Sequence, residues 1–330
     1  MVVFRVLVLS LFGLLLLQGA QAQVEVEHNM HHMHVVYGVD DGLPQNSVYA
    51  IAYDAAGYLW VGTEYGLAYF DGVRWKESIG RPPMGIVWDM AADSAGGLWL
   101  ATSSHGLLWL QPVPGTPDSL WVTQSYSAPE GQDINAVAWD PRGFLWVGTD
   151  RGLYRFVQQQ WIPAFPESLD TYTISQVVLT GDDILVATDA GAYEIRGDSL
   201  RSWELPDAVF TVFKDSQGRR WAGTGTDVWQ LEEDGSVVRR LNGTGTVHAF
   251  AESRTGELWV GAHRGAWIYD GQTWYEVPEI RDLRAYPVLS LLGGDAVLVG
   301  TVNSGLMSIQ RRGWHHLREI DDRPLRAVMA

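Results

Sequence analysis

Seven times in 330 residues the chain repeats a short phrase in which a bulky apolar residue is followed two places later by a small one. Five copies carry tryptophan: Leu59-Trp60-Val61-Gly62-Thr63, Leu98-Trp99-Leu100-Ala101-Thr102, Leu145-Trp146-Val147-Gly148-Thr149, Arg220-Trp221-Ala222-Gly223-Thr224 and Leu258-Trp259-Val260-Gly261-Ala262. Two carry leucine instead, Ile184-Leu185-Val186-Ala187-Thr188 and Val297-Leu298-Val299-Gly300-Thr301. The central residues are spaced 39, 47, 39, 36, 38 and 39 apart. A period near 40 built from strand-like segments excludes most folds and points to the blades of a β-propeller.

Within a period the reading is four short strands. In the first period Ser47–Tyr53 is rich in Val, Ile and Tyr and reads as a strand. Asp54-Ala55-Ala56-Gly57 then turns the chain, with Asp capping through its side chain and Gly taking a positive φ. Tyr58–Thr63 and Leu67–Phe70 are the second and third strands, and Asp71-Gly72 turns into an outer strand at Arg74–Ser78. The Asp-x-x-Gly turn recurs at Asp93–Gly96, Asp140–Gly143 and Asp215–Gly218, with Ser253–Gly256 as a variant, always six residues before Trp. Periods four and seven lack both features. A four-stranded sheet of this size cannot bury both faces alone, whereas blades around an axis can. The expected fold is therefore all-β, a seven-bladed propeller of four-stranded blades, with first strands opening near Val48, Val87, Ile134, Ile174, Val209, Val247 and Val288.

The repeated residues read as architecture. Trp on a second strand fills the wedge between blades. Gly two residues later leaves room for a neighbour's bulky side chain. The Asp-x-x-Gly carboxylates cap turns on one face of the disc and are not an acid–base pair.

Gly42-Leu43-Pro44-Gln45-Asn46-Ser47-Val48-Tyr49-Ala50-Ile51, followed by Asp54–Leu67, resembles the two-component regulator propeller repeat. The resemblance is close in periods one, three and six and extends over nearly all the mature chain. It implies the periplasmic sensor part of a bacterial signalling protein. Such propellers often occur in tandem pairs ahead of an immunoglobulin-like domain, a membrane helix and an output domain, and many are thought to sense carbohydrate breakdown products. This sequence contains none of the output parts.

Composition narrows the setting. The net charge is −16 with 23 Lys and Arg against 39 Asp and Glu, so nucleic acid and anionic lipid are poor partners. Zero Cys removes disulfides, thiolate metal sites and cysteine nucleophiles. Met1–Arg5, the apolar run Val6–Leu17 and Ala20-Gln21-Ala22 form a secretory signal peptide, giving a periplasmic or secreted chain starting at Gln23. The expected segments are a signal peptide at 1–22, a lead-in with an outer strand at 23–46, the propeller at 47–319, and a further repeat or closure strand beginning at 320–330. Val35–Tyr37 reads as an outer strand with no blade of its own, and Leu325–Ala330 as the first strand of another unit. Both suggest the front part of a longer protein.

Catalytic signatures are absent: no G-x-S-x-G, no phosphate-binding loop, no H-E-x-x-H and no dinucleotide fingerprint. No catalytic residue and no cofactor are expected. The loops between second and third strands share a face with the channel mouth, and they carry the least repetitive residues. They are the expected ligand-binding set: Glu64, Tyr65, His105, Asp150, Arg151, Asp189, Asp227, His263, Arg264 and Asn303. Interblade residues Asn46, Arg81, Asp133, Tyr172, His248 and Tyr286 surround them. His28, His31, His32 and His34, interleaved with Met30 and Met33, form a weak candidate for copper or nickel. The expected partner is a small molecule or oligosaccharide, with a second propeller and a membrane-anchored output domain outside this chain. Two alternatives stand beside the sensor. One is an enzyme similar to streptogramin lyases, with His105 or His263 as base. The other is a scaffold that binds only protein.

Overall fold

Seven four-stranded antiparallel sheets form, each paired in simple sequence order except the last. The computed structural model describes residues 32–77, 85–112, 121–281, 288–293 and 296–311. Blade 1 consists of Val48–Tyr53, Leu59–Thr63, Gly66–Phe70 and Trp75–Glu77. Blades 2 to 7 repeat the plan, with first strands opening at Val87, Ile134, Ile174, Val209, Val247 and Val288, as the repeat requires. Among the described residues helix is limited to single turns such as Pro166–Leu169.

The Asp-x-x-Gly turn does two jobs. One Asp54 oxygen accepts the backbone N–H groups of Ala56 and Tyr58, both at 2.9 Å, while Gly57 takes φ of +88°. The other oxygen accepts the Trp60 indole N–H at 2.8 Å. Asp140–Trp146 and Asp215–Trp221 repeat this bond at 3.0 and 2.8 Å. The six-residue spacing thus lets one carboxylate cap a turn and satisfy a buried donor that would otherwise be costly. Blade 2 departs from the pattern. Trp109 of its third strand takes Asp93 at 2.9 Å, and Trp99 stacks on Trp109 with ring centroids 5.5 Å apart.

Each central residue packs toward the next blade. Trp60 joins Val87 and Leu100 of blade 2, Trp146 joins Ile174 and Val186 of blade 4, and Trp221 joins Val247 and Val260 of blade 6. The small residue two places on is needed by the same interface. A Cβ at Gly62 would lie 2.8 Å from Val87, at Gly148 2.6 Å from Ile174, and at Gly223 2.5 Å from Val247. Val87, Ile174 and Val247 at the heads of their first strands therefore occupy the space that the preceding blade's glycine leaves.

Blade 7 is completed from the other end of the chain. Its sheet runs His32–Tyr37, Leu306–Arg311, Val297–Thr301, Val288–Leu292. His32–Tyr37 pairs antiparallel with Leu306–Arg311, from His32 opposite Arg311 to Tyr37 opposite Leu306. The expectation that Val35–Tyr37 lacks a blade is corrected here. It supplies the missing outer strand of blade 7, so His32–Arg311 forms one closed unit. The paired segments lie far apart in sequence, which is why no local pattern announces the match. The signal peptide, His28, His31 and the expected strand at Leu325–Ala330 lie outside the described residues. No helix among the described residues is long and apolar enough to cross a membrane.

Candidate functional site

Every first strand contains a bulge at its second position. The register slips between Val48 and Ala50, Val87 and Asp89, Ile134 and Ala136, and Ile174 and Gln176. It slips likewise between Val209 and Thr211, Val247 and Ala249, and Val288 and Ser290. The skipped residue has no partner opposite it, and a bulge re-aims its side chain. In six blades the skipped residues, Tyr49, Trp88, Asn135, Ser175, Phe210 and His248, line one cavity of about 230 Å³ together with Asp89, Gln176 and Phe250. The bulge is thus a ring-wide device that presents one non-repeating side chain per blade.

Side chains here also tie neighbouring blades together. An Asp89 oxygen of blade 2 accepts Val137 N–H of blade 3 at 2.9 Å, and the other accepts Met90 N–H at 2.8 Å. Gln176 Oε1 of blade 4 accepts Val212 N–H at 2.8 Å and Thr211 Oγ1 at 2.9 Å in blade 5. Asn135 Nδ2 donates to the Ile174 carbonyl at 3.3 Å. The Tyr49 and Trp88 rings meet edge to face at 5.4 Å.

Titration follows this burial. Burial pushes the Asp89 carboxyl up to about 7, although the Val137 and Met90 N–H groups pull the other way. Burial, aided by repulsion from His263, holds the His248 imidazole down at about 4. The Tyr49 phenol is raised by burial and by the Glu64 charge. At neutral pH the cavity therefore contains a neutral imidazole and a carboxyl poised near its midpoint.

The ten loop residues expected to bind ligand form a separate set, none of which lines this cavity. Glu64 and His263 reach it electrostatically, through Tyr49 and His248. Several others hold the loops themselves. Asp150 and Asp189 accept Asp133 and Thr173 N–H at 3.1 and 3.2 Å. Asn303 accepts the Ser47 hydroxyl at 3.4 Å, and Arg264 donates to the Gly243 carbonyl at 3.0 Å. Asp227 is buried at the head of its strand, where its N–H donates to Thr224. His105 is half-buried, and its Nδ1 has no partner among the described residues. Tyr65 and Arg151 are exposed, their N–H groups bonded to Thr63 and Thr149. Those threonines cap the hairpins, donating to the Gly66 and Gly152 carbonyls at 2.9 Å. His34 stands exposed on the closing strand. Among the described residues no three His, Asp or Glu converge in a metal-holding geometry.

The cavity residues had a signal in the sequence. Each follows the Val or Ile that opens a first strand, and its column changes character from blade to blade while that Val or Ile repeats.

The profile of the two-component regulator propeller family matches residues 42–65 and 129–151, so blades 1 and 3 carry this repeat. No curated protein sequence matches the chain. Among solved structures, the chain is similar to the extracellular domain of a putative hybrid two-component system from B. thetaiotaomicron. The TM-score is 0.66 at 18% identity, over 86% of this chain and 40% of that one. It is also similar to a catalytically inactive variant of virginiamycin B lyase from Staphylococcus aureus, solved with quinupristin. There the TM-score is 0.68 at 11% identity, over 85% and 99% of the two chains. PorZ, a surface component of the type-IX secretion system of Porphyromonas gingivalis, gives 0.62 at 15% identity, over 82% and 47%. The chain thus spans about 40% of the length of the two-component extracellular domain.

Proposed function

We propose that this propeller is the non-catalytic ligand-recognition part of an extracytoplasmic sensor of the two-component type. It takes a small molecule or oligosaccharide at its channel and passes the bound state to parts outside this chain, among them a second propeller and a membrane-anchored output domain. The reading is supported by the repeat family and by the extracellular two-component domains that share the fold. The observation that carries it is the ring of bulges. Six described blades spend their one unpaired position on different side chains, all around a single cavity, while the rest of each blade is repeated architecture. Concave sites with a few convergent polar groups are the usual place for ligands. Exposed Tyr65, Arg151, His263 and Arg264 form the outer recognition rim of the same face.

The test is calorimetry of the mature chain against a panel of small metabolites and oligosaccharides, repeated on variants. Trp88→Ala and Arg151→Ala should lower affinity at least tenfold. Asp140→Ala should lower thermal stability and leave affinity within twofold wherever the variant is folded. Equal losses of affinity in all three would defeat the assignment. The lyase alternative rests on shared fold alone. Turnover of a depsipeptide or lactone, abolished by His105→Ala or His263→Ala, would replace the sensor reading with it.

A further inference from the structure

The channel wall is chemically lopsided. Its charged group is a carboxylate, Asp89, and no described Lys or Arg lines the cavity with it. That carboxylate is opposed only by two backbone N–H donors, from Met90 and Val137, so it has acceptor capacity left and no counter-charge. Tyr49, Trp88 and Phe210 border the same space, and Trp88 and Phe210 keep 40% of their surface exposed inside an otherwise packed ring. Exposed aromatic surface beside an unpaired carboxylate has one natural complement. Aromatic faces attract a cation through their quadrupole, most strongly where water is scarce, and a carboxylate neutralises it.

We propose that the channel binds a small organic cation, an amine or quaternary ammonium group, seated against Asp89 and the aromatic side chains of Tyr49, Trp88 and Phe210. The inference rests on the sensor reading and names the ligand class of that site. Anions find no described cationic partner in the cavity. A hard metal ion requires six or more oxygens, and three of the bordering side chains are hydrocarbon rings or a phenol. The volume of about 230 Å³ is below that of a drug-sized site, which restricts the ligand to a compact head group. The whole chain, at a net −16, draws cations toward it.

The pH dependence of such a site has a definite sign. The cation binds the ionised form of Asp89, which burial holds at about 7. Ionisation of that group falls from about nine-tenths at pH 8 to about one-tenth at pH 6, so affinity should weaken about tenfold over that interval. The other titratable groups facing the cavity are Tyr49 and His248, with Glu64 and His263 acting on them from the rim. His248, held down at about 4, stays neutral throughout, and the raised Tyr49 phenol stays protonated.

The experiment uses matched probes on the mature chain. Tetramethylammonium and choline are titrated beside their uncharged isosteres, neopentane-type alcohols such as 3,3-dimethylbutan-1-ol, with calorimetry and Trp fluorescence as readouts. The expected result is at least tenfold preference for the ammonium compounds, the tenfold loss from pH 8 to pH 6, and loss of both in Asp89→Asn. The comparison of isosteres is made on the unmodified chain, so it decides even where a variant folds poorly. Equal affinity for charged and uncharged probes, or binding of neither up to 100-fold molar excess, overturns the proposal. If a neutral ligand binds and Trp88→Ala removes it, the cation inference fails and the sensor reading survives. If no panel compound binds in a way that Trp88→Ala alters, both fail.

Discussion

Blades 4 and 7 both place leucine where the other five place tryptophan, yet the interfaces they form with the next blade differ. At the same register each puts an aromatic on the outer strand: Trp203 opposite Ala192 in blade 4, and Tyr37 opposite Leu306 in blade 7. Trp203 is wholly buried with Leu185, Val209 and Val212, and its indole N–H reaches the Glu232 carbonyl of blade 5 at 2.8 Å. Beside it Glu194, with no exposed surface, bonds Arg220 at 2.7 Å and Arg196 at 2.9 Å. Burial opposes ionisation of Glu194, but the two guanidinium groups more than offset it and hold the carboxyl below its usual range. Tyr37 is half-buried and packs on Phe70 and Trp75 of blade 1 at 6.0 and 5.7 Å. A groove of about 710 Å³ remains beside it, lined also by Leu298, Ser308 and Gln310. One missing indole is replaced by another from a different strand, together with an ion pair. The other is replaced by a phenol that does not fill the wedge.

The comparison can be broken most forcefully at Trp203. Trp203→Ala should cost about 3–5 kcal/mol in denaturant unfolding, since a fully packed aromatic leaves a cavity. Next, Arg220→Ala should cost about 3 kcal/mol, because Glu194 is left buried with Arg196 alone. The double change Glu194→Leu with Arg220→Met should recover most of that loss, and a double-mutant cycle checks it. Tyr37→Ala, at the same register as Trp203, should cost only about 1–2 kcal/mol because the ring is half in water. The two leucines themselves should respond with opposite signs. Leu185→Trp overpacks a filled interface and should destabilise by about 1–3 kcal/mol. Leu298→Trp enters the groove and should stabilise by about 0.5–1 kcal/mol. Equal responses at the two sites would mean that the wedges are alike in solution.

The blades that obey the repeat were legible residue by residue. Asp54, Trp60 and Gly62 act as turn, wedge and clearance, and the register of Val48 through Val288 followed from spacing alone. What escaped the sequence has physical causes. A bulge is a property of pairing between two strands, so Tyr49 or His248 has no local mark beyond its failure to repeat. Of the channel set only His248 was named, among the interblade residues, while attention went to loop tips, where variability is easier to see. The indole-to-carboxylate bond joins residues whose spacing was noticed but whose contact depends on the fold of the hairpin. The role of Tyr37 depends on a partner strand near the opposite end of the described chain.

That last pairing also dictates an order of events. Hairpins within a blade close over a few residues, whereas His32–Tyr37 must find Leu306–Arg311 across roughly 270 residues. The entropy of closing so long a loop exceeds that of a four-residue hairpin by about 4 kcal/mol. Contacts so distant in sequence form slowly and late. The ring should therefore assemble as an open arc of blades, with the exposed valines of the first strand waiting for the last sheet. This interval sets the period during which a bare strand edge is available to the wrong partner. Blade 7 is then the latch whose opening begins unfolding, and hydrogen exchange at Val35 and Val36 should report that opening before any other strand pair loosens.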